Sequence, residues 1–278
     1  MRNVFSICLR TLFLAALCVA SVCAQSREEK KTVAFNPGGD LRVTIDRGSV
    51  QLIGWERNEV EVYARIERPK NDDRDFDVRS IELTRIEILG DTRSLTIRAN
   101  YDELPKRSKW SDDGRSTPDV HFEIRAPRSV NLNLDGDRAQ VTLRAVTGYL
   151  QVTTDRSQIS GEDLQGDLRL KLDRGALTLR QVQARMELVG DRTNVKVSGL
   201  VLTGDSRLDV DRGEVEVGLA RAQGLTISAN RSRRAGFESD FAIATRVLDD
   251  ERIEGEINGG GPRLTIRNDR GKTRLRQE

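Results

Sequence analysis

Residues 132–220 read LNLDGDRAQVTLRAVTGY, LQVTTDRSQISGEDLQGD, LRLKLDRGALTLRQVQAR, MELVGDRTNVKVSGLVLTGD and SRLDVDRGEVEVGLA when broken at equivalent positions. The dipeptide Asp-Arg returns at Asp137-Arg138, Asp155-Arg156, Asp173-Arg174 and Asp191-Arg192, each copy 18 residues after the last, and again at Asp211-Arg212 after 20. Residues five and three before each of the first four Asp are apolar: Leu132 and Leu134, Leu150 and Val152, Leu168 and Leu170, Met186 and Leu188. That is the alternation of a half-buried strand. A second apolar set follows at four, six and nine after, for example Val141, Leu143 and Val146, or Leu177, Leu179 and Val182. Each unit therefore reads as two short strands joined by an Asp-Arg-small corner. A unit this short cannot bury its apolar row alone and must stack on its copies, so the repeat predicts a single-domain, all-β, parallel β-solenoid with rungs of about 18 residues. An antiparallel meander with a hairpin at each corner explains the alternation but not the fixed recurrence of charged pairs.

Working outward, Leu41 to Leu52 fits the same template around Asp46-Arg47-Gly48, and Leu264 to Leu275 fits it around Asp269-Arg270-Gly271. Leu225, Ile227 and Asn230-Arg231 form a degenerate copy. Val60, Val62, Ala64 and Ile66 alternate without a corner, as do Leu95, Ile97 and Ala99. Three segments break the pattern: Pro69 to Asp75, Tyr101 to Pro118, and Arg233 to Asp250. The third carries Phe237 and Phe241, which predict packing as an end cap or side flap over an otherwise open sheet edge.

The first 24 residues have a charged start (Arg2, Arg10), an apolar run to Val22 and a small-residue ending at Cys23-Ala24. This is the pattern of a secretory signal peptide, giving a mature domain of residues 25–278. Cys23 as a lipidated residue is the competing reading, with Val22 standing where a smaller residue is expected. All three cysteines, Cys8, Cys18 and Cys23, lie in the leader, which excludes thiol chemistry and cysteine-ligated zinc from the exported chain. Removing Arg2 and Arg10 leaves 44 basic residues, equal to the 44 acidic ones. With no basic run and only 4% aromatic residues, neither nucleic acid nor an extended stacking platform is indicated.

The residue after each Arg is always small (Gly48, Ala139, Ser157, Gly175, Thr193, Gly213, Ser232, Gly271) but only half the time Gly. An obligatory left-handed residue there would demand Gly or Asn throughout, so close stacking of corners is the expected constraint. Stacked about 4.8 Å apart, like charges repel unless opposite ones interleave. Carboxylates held between guanidinium groups solve this, which makes the corners a neutralising ladder. The functional alternative is that Arg138, Arg156, Arg174, Arg192 and Arg212 form a ligand stripe for a repetitive anionic polymer.

The run from Phe35 to Glu67, containing DRGSVQLIGWERNEVEVYARIE, resembles the opening of the bacterial putative adhesin family, and Gly255 to Arg276 resembles its closing motif. The resemblance spans nearly the whole mature chain. It implies a right-handed β-solenoid at an extracytoplasmic location, and it brings no catalytic residues. Family members often carry Ser-Gly or Asn-Gly where this chain has Asp-Arg.

Other candidates are weaker. Acid pairs for glycoside chemistry could come from Asp72, Asp73 and Asp75, from Asp112 and Asp113, or from Asp249, Asp250 and Glu251, all in polar segments. His121, the single histidine, alternates onto the outer face beside Glu123 and reads as an exposed bystander. Gly259-Gly260-Gly261 lacks the Lys-Ser/Thr of a phosphate loop and reads as a tight bend. Trp55 reads as covering core and Trp110 as a contact residue. Together these features predict an exported, non-enzymatic, adhesin-like binding or scaffold module at the cell surface or in the periplasm. They indicate no cofactor, metal site or transmembrane segment after leader removal, and a cell-surface polysaccharide or protein as partner. A carbohydrate-active β-helix enzyme of the lyase or hydrolase type is the alternative.

Overall fold

The computed structural model describes residues 26–69, 78–104, 117–230 and 234–278. The segment expected to be a leader, with its expected cleavage site, lies outside the described residues, as do Asp72, Asp73, Asp75, Trp110, Asp112, Asp113, Arg231 and Ser232. The strands are β1 (Ser26–Ala34), β2 (Asp40–Ile45), β3 (Gly48–Trp55), β4 (Glu59–Glu67), β5 (Arg85–Gly90), β6 (Ser94–Asn100), β7 (Asp119–Pro127), β8 (Asn131–Asp137), β9 (Ala139–Asp155) and β10 (Ser157–Leu172). They continue as β11 (Gly175–Gly190), β12 (Thr193–Leu202), β13 (Ser206–Arg212), β14 (Val215–Leu219), β15 (Leu225–Asn230), β16 (Ala235–Ser239), β17 (Ala244–Leu248), β18 (Arg252–Ile257) and β19 (Arg263–Gln277). One short helix, α1 (Arg79–Leu83), precedes β5.

The repeat sets the register of the middle. Strands β8, β9, β10, β11 and β12 pair in parallel, and partners there are 18 residues apart, as in Leu134 with Val152, Val152 with Leu170, and Leu170 with Leu188. The same column runs on through Leu208 and Ile266, and in the other direction through Val43 and Ile97. All of these side chains are buried in one hydrophobic cluster. At about 25 cal/mol per Å² of apolar surface removed from water, such columns are the main favourable contribution to folding.

The expected single parallel β-solenoid is nevertheless not the architecture. Strands β11, β12, β14, β19 and β13 pair in a closed five-strand ring, and the other fourteen strands bond outside it. Five pairings are antiparallel: β1 with β4, β4 with β7, β5 with β6, β15 with β18, and β17 with β18. The chain also leaves sequence order at both ends. Strand β2 lies between β6 and β8, and β3 between β7 and β9. At the far end β19 lies between β13 and β15 along one half and between β14 and β16 along the other. The difference lies in what the short connection does to chain direction. A hairpin turn, such as Asp91 to Arg93 between β5 and β6, reverses the chain and pairs the two strands antiparallel. The one- or two-residue Asp-Arg corners instead bend it without reversal, and the strands there pair in parallel with the next unit. Asp91 closes the hairpin turn by accepting from the backbone N–H groups of Arg93 and Ser94 at 2.8 and 3.0 Å.

Outside the repeat, several expectations hold. The segment with Phe237 and Phe241 supplies β16 and β17, each paired with a single strand, and Phe241 is buried. Gly259, Gly260 and Gly261 all have positive φ and bend the chain between β18 and β19. Trp55, expected to cover core, is instead half-buried outside the hydrophobic cluster, with its indole N–H donating to the Glu59 carbonyl at 2.9 Å and the Arg57 guanidinium 4.9 Å above the ring.

Candidate functional site

The Asp-Arg corners stack in space. Asp137 is the register partner of Asp155, and Arg212 of Arg270, with the same corner repeated at Asp173 and Asp191 between them. The backbone there comes in two forms. Where the residue after Arg is Gly, that glycine has positive φ: +117° at Gly48, +144° at Gly175, +140° at Gly213 and +150° at Gly271. Where it is Ala139, Ser157 or Thr193, the preceding Arg takes the left-handed conformation instead, at φ 36° for Arg138 and 45° for Arg156 and Arg192. The small residue is then buried. Its hydroxyl, where present, donates to the Asp carbonyl, at 2.8 Å from both Ser157 to Asp155 and Thr193 to Asp191. Stacking is therefore not the only constraint at the corner. A left-handed residue is required, and either of two positions can supply it.

The corner arginines make the interleaved ladder. Arg156 lies 3.0 Å from its own Asp155 and 3.3 Å from Asp137 of the preceding unit. Arg174 lies 2.9 Å from Asp173 and 3.4 Å from Asp155. Arg138, Arg192 and Arg212 each contact their own Asp at 3.2 to 3.5 Å, and Arg270 reaches back to Asp211 at 3.5 Å. The Arg174 guanidinium holds the Asp173 carboxyl below the usual carboxylate range. A depressed folded-state pKa contributes stability above the unfolded value and loses it as pH falls through the folded one. Arg174→Ala should therefore lower Tm slightly at neutral pH, since both groups are solvent-exposed. The difference from the parent should shrink as pH falls through the carboxylate range. Replacing Asp173 and Arg174 together should cost less than the two single losses added, because neither charge is left unpaired. Melting curves of the four proteins at neutral and acid pH check this.

Beside the ladder runs a groove of about 560 Å³ crossing the stacked units. Strand alternation turns both Asp46, Asp137, Asp155, Asp173 and Asp191 and, two residues earlier, Thr44, Asp135, Thr153, Lys171 and Val189 to the outer face, as two neighbouring rows along the groove. Ile45, Thr154 and Leu172, between them in sequence, point inward and are buried. Val189 is 48% exposed, an unusual position for a large aliphatic side chain. The sequence reading found the Asp column but missed the groove. Its signal was the residue two before each Asp, where a solvent-facing row reads Thr, Asp, Thr, Lys, Val instead of being uniformly charged.

His121 is not the bystander expected from its outward position. Its Nδ1 is 2.8 Å from Ser49 Oγ and its Nε2 is 3.0 Å from Glu67 Oε1, and its side chain is only 22% exposed. Ser49 and His121 are register partners on β3 and β7, while Glu67 arrives from β4 on the other side of β7. Strand pairing out of sequence order made this contact invisible beforehand. Asp249 accepts from the backbone N–H groups of Glu251 and Arg252 at 2.9 and 2.8 Å, so that acidic group closes the turn between β17 and β18. Among the described residues, no cluster of three or more His, Cys, Asp or Glu side chains could hold a metal ion, and no helix is long and apolar enough to cross a membrane.

No protein-family model matches the chain, and no curated protein matches it. Several solved structures are similar in outline. A putative adhesin from Bacteroides fragilis is 10% identical, with 91% of this chain and 97% of that one covered and a TM-score of 0.46. A putative lipid binding protein from Parabacteroides distasonis is 11% identical, covering 89% and 96%, with a TM-score of 0.42. A putative cell adhesion protein from Clostridium sporogenes is 10% identical, covering 91% and 100%, with a TM-score of 0.35. At these scores the likeness carries no argument about function, which rests on the groove and its ladder.

Proposed function

We propose that residues 25–278 form an exported, non-enzymatic, adhesin-like module that binds a cell-surface polysaccharide along the groove beside the Asp-Arg ladder. The observation that supports this is the groove itself. Its volume lies within the range of ligand sites, and its walls repeat at the strand spacing of about 4.8 Å. A periodic, open surface suits an extended, periodic ligand. Arg138, Arg156, Arg174 and Arg192, whose paired Asp residues line it, together with Arg212 at the next corner, are the candidate ligand stripe. An enzyme of the glycosidase type needs an acid with a raised pKa, whereas Arg174 holds Asp173 below the usual range.

The test is a glycan array on the mature chain beside a lyase and hydrolase screen, with Arg156→Ala, Arg174→Ala and Arg192→Ala compared for melting and glycan affinity. Saccharide binding without turnover is the expected result. Bond cleavage by the parent, or capture of no glycan at all, would overturn the reading.

A further inference from the structure

We infer that the groove takes an uncharged, hydroxyl-rich glycan chain and not an anionic polymer; this rests on the binding reading above and names its ligand class. The argument begins with charge. On the ladder wall, Asp137, Asp155, Asp173 and Asp191 all lie within ion-pair distance of corner arginines. In the neighbouring row Asp135 and Lys171 carry opposite formal charges two strands apart, with Thr153 between them. A wall whose charges cancel gives no long-range attraction to a polyanion or a polycation, both of which need uncompensated charge to release counterions.

What the groove does present is short-range. The guanidinium groups already donate to the carboxylates, as Arg156 does to Asp137 at 3.3 Å and Arg174 to Asp173 at 2.9 Å. The polar groups lining the groove are then aspartate carboxylates, which only accept, and threonine hydroxyls, which can donate or accept, with Lys171 as the one cationic donor among the lining residues. Hydroxyl groups donating to carboxylates form charge-assisted bonds, stronger than neutral ones. The exposed Val189 side chain and the methyl groups of Thr44 and Thr153 give the groove an apolar surface that fits the C–H face of a pyranose ring. Donors along the edges of an apolar ribbon are what a neutral glycan supplies. A polyanion brings acceptors to an acceptor-lined wall.

The experiment titrates the mature chain with neutral α- and β-linked glucan oligosaccharides, polygalacturonate and polylysine at 20 and 300 mM NaCl. The expected result is binding of a neutral glucan whose affinity changes by less than about twofold with salt. Val189→Glu and Asp135→Ala, both at exposed positions, should weaken that binding about tenfold while melting stays at the parental temperature. Tighter binding of polygalacturonate with steep salt dependence would overturn the inference and leave the binding reading intact. Preference for polylysine over every saccharide would overturn both the inference and the polysaccharide reading and point to a basic protein partner. A neutral glucan that binds both variants as well as the parent would remove the groove as its site. Failure of every saccharide to bind would sink the binding reading itself.

Discussion

Leu170→Asp should collapse the middle of the molecule. Leu170 is 4% exposed and stacks between Val152 and Leu188, its parallel register partners on either side. A carboxylate there has neither water nor a cation, and burial of an unpaired charge costs several kcal/mol even after the group protonates or the site relaxes. Since a whole domain is stable by only about 5–15 kcal/mol, that is a large fraction of the total. Hydrogen exchange should show protection lost first in β9, β10 and β11, whose pairing depends directly on this column. Lys171→Asp, one residue along on the exposed face, is the control, because surface substitutions usually stay within about 0.5 kcal/mol. If Leu170→Asp melts with the parent, the alternation that defines the core is wrong.

That prediction needed little beyond the sequence, since the apolar residues five and three before each Asp were enough to place Leu170 inside and Lys171 outside. The second bend of each unit was equally written but went unread. Ala145, Asp163, Gln181 and Gly199 have φ of 53–61° and lie eight residues after Asp137, Asp155, Asp173 and Asp191. The sign was the apolar series itself, which steps from Val141 to Leu143 and then to Val146. An even spacing becomes odd, and alternation changes parity only if the backbone turns between them. The ends of the sheet were less legible for a different reason. Nothing in the local pattern of Leu41 to Leu52 says that β2 and β3 lie between strands that come later in the chain. Such placement is decided by which connections can span the distance and by which edges would otherwise stay open. The groove shares this property. Its walls come from strands consecutive in the repeat and from β2, which is more than 80 residues upstream of its partner β8. The contact of Ser49 with His121 has the same origin, joining β3 to β7.

Gly175→Ala should be costly for a reason that hydrophobic patterning cannot supply. Gly175 has φ +144°, and a Cβ there would stand 1.8 Å from the Ser157 carbonyl oxygen of the unit beside it. That contact is with backbone, so no side chain can swing away. In its present form the corner cannot admit alanine, and β10 and β11 would have to separate. The molecule holds one escape, shown by its own neighbours. At Ser157 and Thr193 the preceding Arg takes the left-handed conformation and the small side chain turns inward. Adopting that form places a residue other than Gly in the left-handed region, at about 1–2 kcal/mol, and redirects the guanidinium that now joins two carboxylates. The expected loss lies at or above that cost, which at about 2–4 °C per kcal/mol for a chain of this size is a clear drop in Tm. Gly204→Ala is the matched control, since the nearest atom to its added Cβ is 3.7 Å away on the Arg185 side chain. Serine at position 175 should be tolerated no worse than alanine despite its size, because its hydroxyl can bond the Asp173 carbonyl as Ser157 bonds that of Asp155. Equal melting of Gly175→Ala and Gly204→Ala would show that neither the backbone contact nor the left-handed requirement governs the corner.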